Sequence, residues 1–541
     1  MSVSTGKRIG SQNFFQIFFH VLQATLDGGV DGPFRHTFGG SNRFDRVVQQ
    51  IVLKHPLALC VRQTIQRMAD MLEAFHALDQ VPGTLCYSPQ QIELKLIGMF
   101  EDGLSLLHLD DPSKSIIYGI SDDGKCFTLV DCIPSHANHS SLGFGTISYT
   151  VNRFYMGTKL LTDASSDLVQ AATFSFTNLN AWLCYNILEY SCPDDTGVWQ
   201  CKINPNNLRG KQTIKIRAID VCLKEELTYN LSFPKDFFLN ENTELTINRW
   251  FIMESLSGAF QTVHTMFKYA SYLKNLLTLL VGQPMFFTYI DFSLPDEEYV
   301  SPEGERLKRK HSCRMFYTQI GDIAGAKHLS PKRNNSCLIK KESILECWDS
   351  IVNLWFSEHK KIAEVTDSYI GDLYLPAYIQ TAFLNIARGL EAYHRLYVTK
   401  QDDTTTVDLS KERVIAFVNS SIPTADRERI LSKINYEAEE SFGKRIKQLI
   451  TSMPTGLKNT VFGELTNAEQ KRLITQIVQT RNYYTHRDNK EKYPLLIETP
   501  LEIAKLSDKL AIVLNYFCLT QTGVPADIVE NALTAKCEME I

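Results

Sequence analysis

The chain has 541 residues, 44% of them hydrophobic, a formal net charge of −5 and a pI of about 6.3. A chain of this length holds about two to four domains, and its mild acidity excludes the global basic field of non-specific nucleic-acid binders, so any RNA site must be local. Thirteen cysteines without regular spacing exclude a disulfide framework and read as reduced thiols of a cytoplasmic protein.

At the N-terminus, Lys7-Arg8 ahead of Phe14, Phe15, Ile17, Phe18 and Phe19 imitates a signal peptide. Gln16, His20 and Gln23 interrupt the apolar run and no small-residue cleavage site follows cleanly, so that reading is rejected. Residues 1–79, with Gly28-Gly29, Gly39-Gly40 and a helical-looking stretch over 47–77, read as an extension of unknown role. Met68 or Met71 would serve as a later natural start. From Gly83 the texture changes to short alternating runs, beginning with Gly83-Thr84-Leu85-Cys86-Tyr87 and Ile92-Glu93-Leu94-Lys95-Leu96. The runs 115–119 and 126–130 flank Asp122-Asp123-Gly124, a hairpin signal because Asp-Gly tolerates the positive φ of a tight turn. Residues 147–151, 198–203 and 213–219 read as strands too, which predicts a β-rich domain over 80–310, a sandwich or partly closed barrel. Within it, Leu256, Phe260, Val263, Phe267, Leu273 and Leu277 give a helical period over 251–281, and 285–290 reads as a closing strand. The most apolar stretch, 276–281, is too short to span a bilayer, so no membrane association is expected.

Residues 294–340 are rich in proline, charge and asparagine, and the linker proper is placed at 311–340. Helical patterns then dominate the domain 341–541, apart from a polar loop at 401–406, and end in the apolar set Ile503, Leu506, Leu510, Val513, Leu514 and Phe517. The expected fold class is α+β multidomain: a β-rich N-terminal domain followed by an all-α bundle of five or more helices.

Three signals are discounted. Cys132-x3-His136-x2-His139 supplies only three ligands with no Cys-x2-Cys partner, and reads as an ordinary polar loop. His486-Arg487-Asp488 imitates a kinase catalytic loop, but Tyr493 stands where the metal-binding Asn should be. Gly210-Lys211 lacks the glycine and the Ser or Thr of a phosphate loop. No cofactor and no metal is expected.

Specific chemistry concentrates at Arg481-Asn482-Tyr483-Tyr484-Thr485-His486. Thr466-Asn467-Ala468-Glu469 reads as a capping box opening a helix on which Leu473, Ile477 and Tyr484 share a face with Val478 at its edge, and Arg487-Asp488-Asn489-Lys490 makes an ending near His486 plausible. An arginine grips a phosphate with two parallel hydrogen bonds and a histidine exchanges a proton near neutral pH. Together they suit metal-free RNA cleavage: the ribose 2′-hydroxyl attacks, His486 is general base or acid, Arg481 holds the phosphorus oxygens and Asn482 assists. Arg481 and His486 lie about 140° apart around an undistorted helix, so the helix must end near His486 or a second subunit must complete the site.

Spacing alone is weak, since Arg306 to His311 and Arg388 to His394 match as well, and about one or two chance matches are expected with this many histidines. The run Glu305-Arg306-Leu307-Lys308-Arg309-Lys310-His311 reads as a solvated linker, and Arg388 and His394 lie mid-helix on different faces. His394 shares a face with Phe383, Ala387, Leu390 and Tyr397, which favours a satisfied core histidine over a catalytic one. Glu391 can pair with Arg395 at i,i+4 or help orient the site. On spacing alone, Arg481 and His486 would read as a surface pair closing a helix C-terminus.

The segment Arg481-Asn482 with His486 resembles the hallmark of HEPN domains: an Arg, usually followed by a polar residue such as Asn, with a His four to six residues beyond the Arg. The stretch Phe383-Leu384-Asn385-Ile386-Ala387-Arg388-Gly389-Leu390-Glu391-Ala392-Tyr393-His394-Arg395 resembles the "FL…LE.YHR" helix of the ApeA-type members, which are phage-defence proteins with a β-rich domain ahead of the HEPN domain. The resemblance covers roughly residues 80–541 and implies a ribonuclease effector of abortive infection, with residues 80–310 as sensor. It further implies transfer RNA as substrate, a phage-encoded protein as trigger, and a homodimer or larger assembly. It puts Arg481, His486 and Asn482 in the catalytic site, with Glu391, His394 and Arg395 as possible supports. The alternative is a non-catalytic HEPN module for interaction or dimerisation, whose Arg-His pair is structural.

Overall fold

The computed structural model describes residues 13–20, 80–98, 114–138, 145–161, 167–183, 188–191, 200–203, 212–232, 244–302, 304–321, 323, 337–399, 409–423, 426–428, 430–431 and 440–540. The helix expected over 47–77, the loop 401–406, His139 and Gly210-Lys211 lie outside them. The chain forms two compact units, one of Met1–Asp167 with Asp291–Gln319 and one of Leu168–Ile290 with Ile320–Ile541.

The first unit is built on six antiparallel strands: β1 (Asn13–His20), β2 (Gln80–Tyr87), β3 (Ile92–Ile97), β4 (Lys114–Ser121), β5 (Cys126–Asn138) and β6 (Thr146–Gly157). Pairing runs β6-β3-β2-β1-β4-β5 and returns from β5 to β6, so the ring closes. Alternation explains the closure: Ile92, Leu94 and Leu96 of β3 point inward beside Leu85, Ile117, Leu129 and Phe154, while Lys95 faces out. Part of the expected N-terminal extension thus supplies a strand of the ring. The Asp-Gly signal holds, with Gly124 at φ 78° and its N–H on the carbonyl of Ser121 at 2.9 Å.

Two readings from sequence are corrected here. The supposed polar loop at Cys132 and His136 is the continuation of β5, with Cys132 fully buried in the ring and His136 exposed. The charged run 305–311 is no linker, because strand Arg306–Tyr317 pairs with strand Phe287–Val300 and, through Cys313–Tyr317, with β6. Its residues 306–310 are solvated as expected, but the ladder uses only backbone groups, and charged side chains suit the exposed end of a hairpin. At Gly157 an added Cβ would meet the Ser312 carbonyl oxygen at 2.3 Å, so only glycine allows β6 to approach this strand.

In the second unit, strands Thr213–Ile216, Val221–Ser232, Glu244–Ser255 and Ala171–Phe176 pair antiparallel in that order. Helix α1 (Val263–Val281) follows, capped by the Thr262 hydroxyl and ended by Gly282 at φ 74°. The helical period read from residue 251 is therefore corrected: Phe251 and Met253 are buried at the two-residue spacing of a strand, and Leu256 and Phe260 are exposed before the helix begins. Besides a short helical turn at Leu179–Leu183, the described residues that follow form α2 (Trp348–Ser357), α3 (His359–Tyr374), α4 (Ile379–Tyr393), α5 (Leu409–Ser421), α6 (Phe442–Ser452), α7 (Thr455–Phe462), α8 (Asn467–His486), α9 (Pro500–Gln521) and α10 (Ala526–Glu540). The apolar set expected on α9 is buried in full. Gly389 lets α4 approach α3 and α9, since a Cβ there would meet the Val365 carbonyl oxygen at 2.8 Å and Leu514 at 3.0 Å. No helix among the described residues is long and apolar enough to cross a membrane.

Lys341 is wholly buried just ahead of α2, ion-paired with Glu225 of strand Val221–Ser232. Its ammonium also lies 4.8 Å from the ring centroid of Trp348 and 5.5 Å from that of Trp182, and Trp348 Nε1 donates to the same Glu225 oxygen at 3.1 Å. Burial pulls the ammonium below the usual lysine range, and Glu225 opposes that. Lys341→Met should cost about 3–5 kcal/mol by stranding a buried carboxylate, whereas the double variant with Glu225→Gln should recover most of it. Thermal unfolding of the three proteins checks this.

Candidate active site

Helix α8 starts where its capping box predicts: Glu469 N–H donates to Thr466 Oγ1 at 3.3 Å, and Thr466 N–H to Glu469 Oε2 at 2.8 Å. It stops after His486, because Arg487 turns left-handed at φ 54° and gives its N–H to the Tyr483 carbonyl at 2.7 Å. The chain beyond is tied back onto the helix, with Leu495 N–H on Gln479 Oε1 at 2.7 Å and Ile497 N–H on the buried Thr480 hydroxyl at 3.2 Å. Only Ile477 and Thr480 of α8 are fully buried, and Gly443 of α6 lets the two helices approach, a Cβ there reaching Val478 at 3.2 Å.

Arg481, half-buried, donates through Nη2 to Glu391 Oε2 at 3.2 Å and through Nη1 to Asn482 Oδ1 at 3.2 Å. Its guanidinium lies 5.3 Å from the Phe442 ring centroid. The other Glu391 oxygen takes Arg395 Nη2 at 3.0 Å, so the i,i+4 pair read from sequence is present, and the contact with Arg481 stands beside it. One carboxylate thus stands between two guanidiniums. Among the described residues the other three of the five Arg481 N–H groups make no hydrogen bond. His486 sits apart: it is exposed at the helix end and makes no side-chain hydrogen bond or ion pair with the described residues. The fold joins Arg481, Asn482, Glu391 and Arg395, and leaves His486 untethered.

His394 is 1% exposed at the start of a π-helical turn, His394–Val398, that continues α4. Its Nε2 bonds the Gln448 side-chain oxygen, with Glu440 at 3.6 Å, while Nδ1 faces the Thr399 hydroxyl at 3.2 Å and Arg445 at 3.5 Å. Burial lowers its pKa, the Gln448 bond and Glu440 oppose that, and Arg445 and Lys444 reinforce it. This is the satisfied core histidine of the sequence reading. Arg388 is exposed on α4, and His311 of the first unit is buried between Thr158 at 2.9 Å and Glu297 at 3.0 Å. Sequence reasoning missed Arg445, Gln448, Glu440 and Phe442. Gln448 is 54 residues from His394, a separation that carries no periodic signal.

Residues 76–355 match the family model ApeA N-terminal domain 1, and residues 384–528 match Apea-like HEPN. No curated protein and no solved structure matches the chain.

A depressed histidine pKa means that the unfolded state binds the extra proton first, so stability is full above about pH 6.5 and is lost as pH falls toward the lowered folded value. The half-buried Glu440, its carboxyl held down chiefly by Lys444, adds to the loss only in the more acidic carboxylate range. Unfolding free energy measured from pH 8 to pH 5 should decline less steeply below pH 6.5 in His394→Gln than in the wild type; parallel curves would remove the imidazole from the account.

Proposed function

Since the chain belongs to the ApeA-like HEPN family, whose HEPN domains are generally ribonucleases, we propose that it is a metal-independent endoribonuclease serving as an abortive-infection effector against phage. The observation that carries this is the contrast within α8, where Arg481 is held by Glu391 with donors to spare and His486 stands free at an open helix end inside the HEPN-matched segment. A phosphate grip profits from fixed direction, and a proton carrier must reach its substrate.

In the proposed reaction the 2′-oxygen attacks phosphorus as a histidine takes its proton, and the bond to the 5′-oxygen breaks as that oxygen receives a proton. The products are a 2′,3′-cyclic phosphate and a 5′-hydroxyl. Arg481 bears the developing charge, with Asn482 assisting and Glu391 and Arg395 acting as positioning residues. The nucleophile is part of the substrate, so the chemistry needs no metal-bound water. Transfer RNA as substrate, a phage-encoded trigger sensed by the β-rich domain over 80–310 and a cytoplasmic setting complete the reading; the linker expected at 311–340 is not kept, because residues 311–317 lie in a strand of the first unit.

His486→Ala should lower cleavage of total RNA by about 10²–10⁴-fold without shifting the melting temperature, because the side chain is exposed. End analysis of wild-type products should find 5′-hydroxyls with or without chelator. Wild-type activity in the His486→Ala protein, or 5′-phosphate products that vanish with chelator, would overturn the assignment and leave the non-catalytic module.

HEPN domains often dimerise, and we place the working site between two copies. Excess His486→Ala chains mixed with wild type should then depress activity below simple dilution once subunits have exchanged. Strictly proportional activity would mean that each chain acts alone.

A further inference from the structure

We propose that Arg487, with Tyr483, Tyr484 and Tyr493, forms a stacking platform for an unpaired nucleotide beside the phosphate to be cleaved. The inference rests on the RNA reading above and names the class of substrate that site takes. The Arg487 guanidinium lies 4.8 Å from the Tyr484 ring centroid and 5.7 Å from that of Tyr483. Tyr483 meets Tyr484 edge-on at 5.2 Å and Tyr493 at 6.0 Å. Tyr493 is set by the 3-10 turn Lys490–Lys492 and by its hydroxyl on Asp488 at 3.4 Å.

Three observations separate this cluster from packing that merely closes a helix. The rings are half-buried, so each keeps a surface toward solvent. Arg487 is exposed and has no carboxylate partner among the described residues, whereas its acidic neighbours are engaged elsewhere, Asp488 with Lys492 at 3.5 Å and Glu498 with Lys490. Finally, a non-glycine residue at φ 54° adopts a backbone that L side chains rarely take, and the result is a planar cation laid on aromatic rings next to His486. A guanidinium already stacked on one face offers the other to a base and its N–H edge to a phosphate. Bases in a duplex hide those faces, so the occupant is single-stranded.

The test uses the full chain carrying His486→Ala, to prevent cleavage, and the fluorescence anisotropy of a labelled single-stranded RNA 12-mer and of the same sequence in a duplex. Adding Arg487→Gly keeps the left-handed turn without its strain, so folding should survive while single-strand affinity falls by about tenfold. Arg487→Lys keeps the charge but not the plane and should also bind more weakly than the parent. The idea is overturned by equal affinity for duplex and single strand, by an Arg487→Lys protein that binds like its parent, or by an Arg487→Gly protein that loses self-association in sedimentation but not RNA. The last outcome would make the surface an interface between copies. Failure of the cleavage reading is distinguishable: wild type that never cuts RNA while Arg487 still governs single-strand affinity would sink the nuclease and keep the platform.

Discussion

The buried pair of Lys341 and Glu225 is the constraint from which the second unit is arranged. A charge pair out of water gains little net stability but penalises every arrangement that separates it, so its effect is on register. Around it the segment ahead of α2 is fixed from other sides as well. Leu338 and Ile339 N–H groups cap the last carbonyls of α1 at 3.0 and 2.7 Å, and Trp182 Nε1 donates to the Ile339 carbonyl at 3.0 Å. Placement then propagates by single polar ties: Trp355 of α2 to the Tyr272 carbonyl at 2.9 Å, and the Tyr374 hydroxyl of α3 to the Met285 carbonyl at 2.6 Å. Helix α4 packs on α3 and α9 through Gly389 and carries Glu391 near its end.

At Glu391 the electrostatics reverse. A carboxylate bonded to two arginines, one of them half-buried, has no freedom to follow either, so it acts as a fixed anchor for the Arg481 guanidinium. Phe442 beneath that guanidinium restricts it further. The anchor competes with any incoming phosphate for Arg481, yet it engages only one of that residue's five donors. Orientation is therefore gained without saturating the group.

Local chemistry was legible in the sequence and long-range pairing was not. The capping box at Thr466 and Glu469 and the polar exit after His486 placed α8 correctly, because both signals act within a turn. Strands such as Ile92–Ile97 followed from alternation. Charge misled at Arg306–Tyr317, where a backbone ladder tolerates side chains that look like a linker, and coincidental spacing of Leu256, Phe260 and Val263 extended a helix into a strand. In the site, Glu391 could be read from its i,i+4 relation to Arg395. The bonds from Gln448 and Arg445 to His394 depend on how α6 packs, which no local pattern encodes.

The left-handed residue after His486 has a further consequence for mechanism. It ends α8 so that His486 stands at the terminus, while Arg481 is held toward α4 by Glu391, and helix geometry sets the two residues about 140° apart, a divergence that one chain alone does not correct. Displacement at phosphorus sets the attacking and leaving oxygens roughly in line on opposite sides, so a concerted step asks for one proton carrier on each side. His394 cannot be the second, being 1% exposed with both ring nitrogens engaged. On the proposed reading, a second copy of His486 brought across a two-fold axis is the group that fills that position. The divergence that leaves one chain's Arg-His pair poorly aimed at a single phosphate is then what lets two chains address it from both sides.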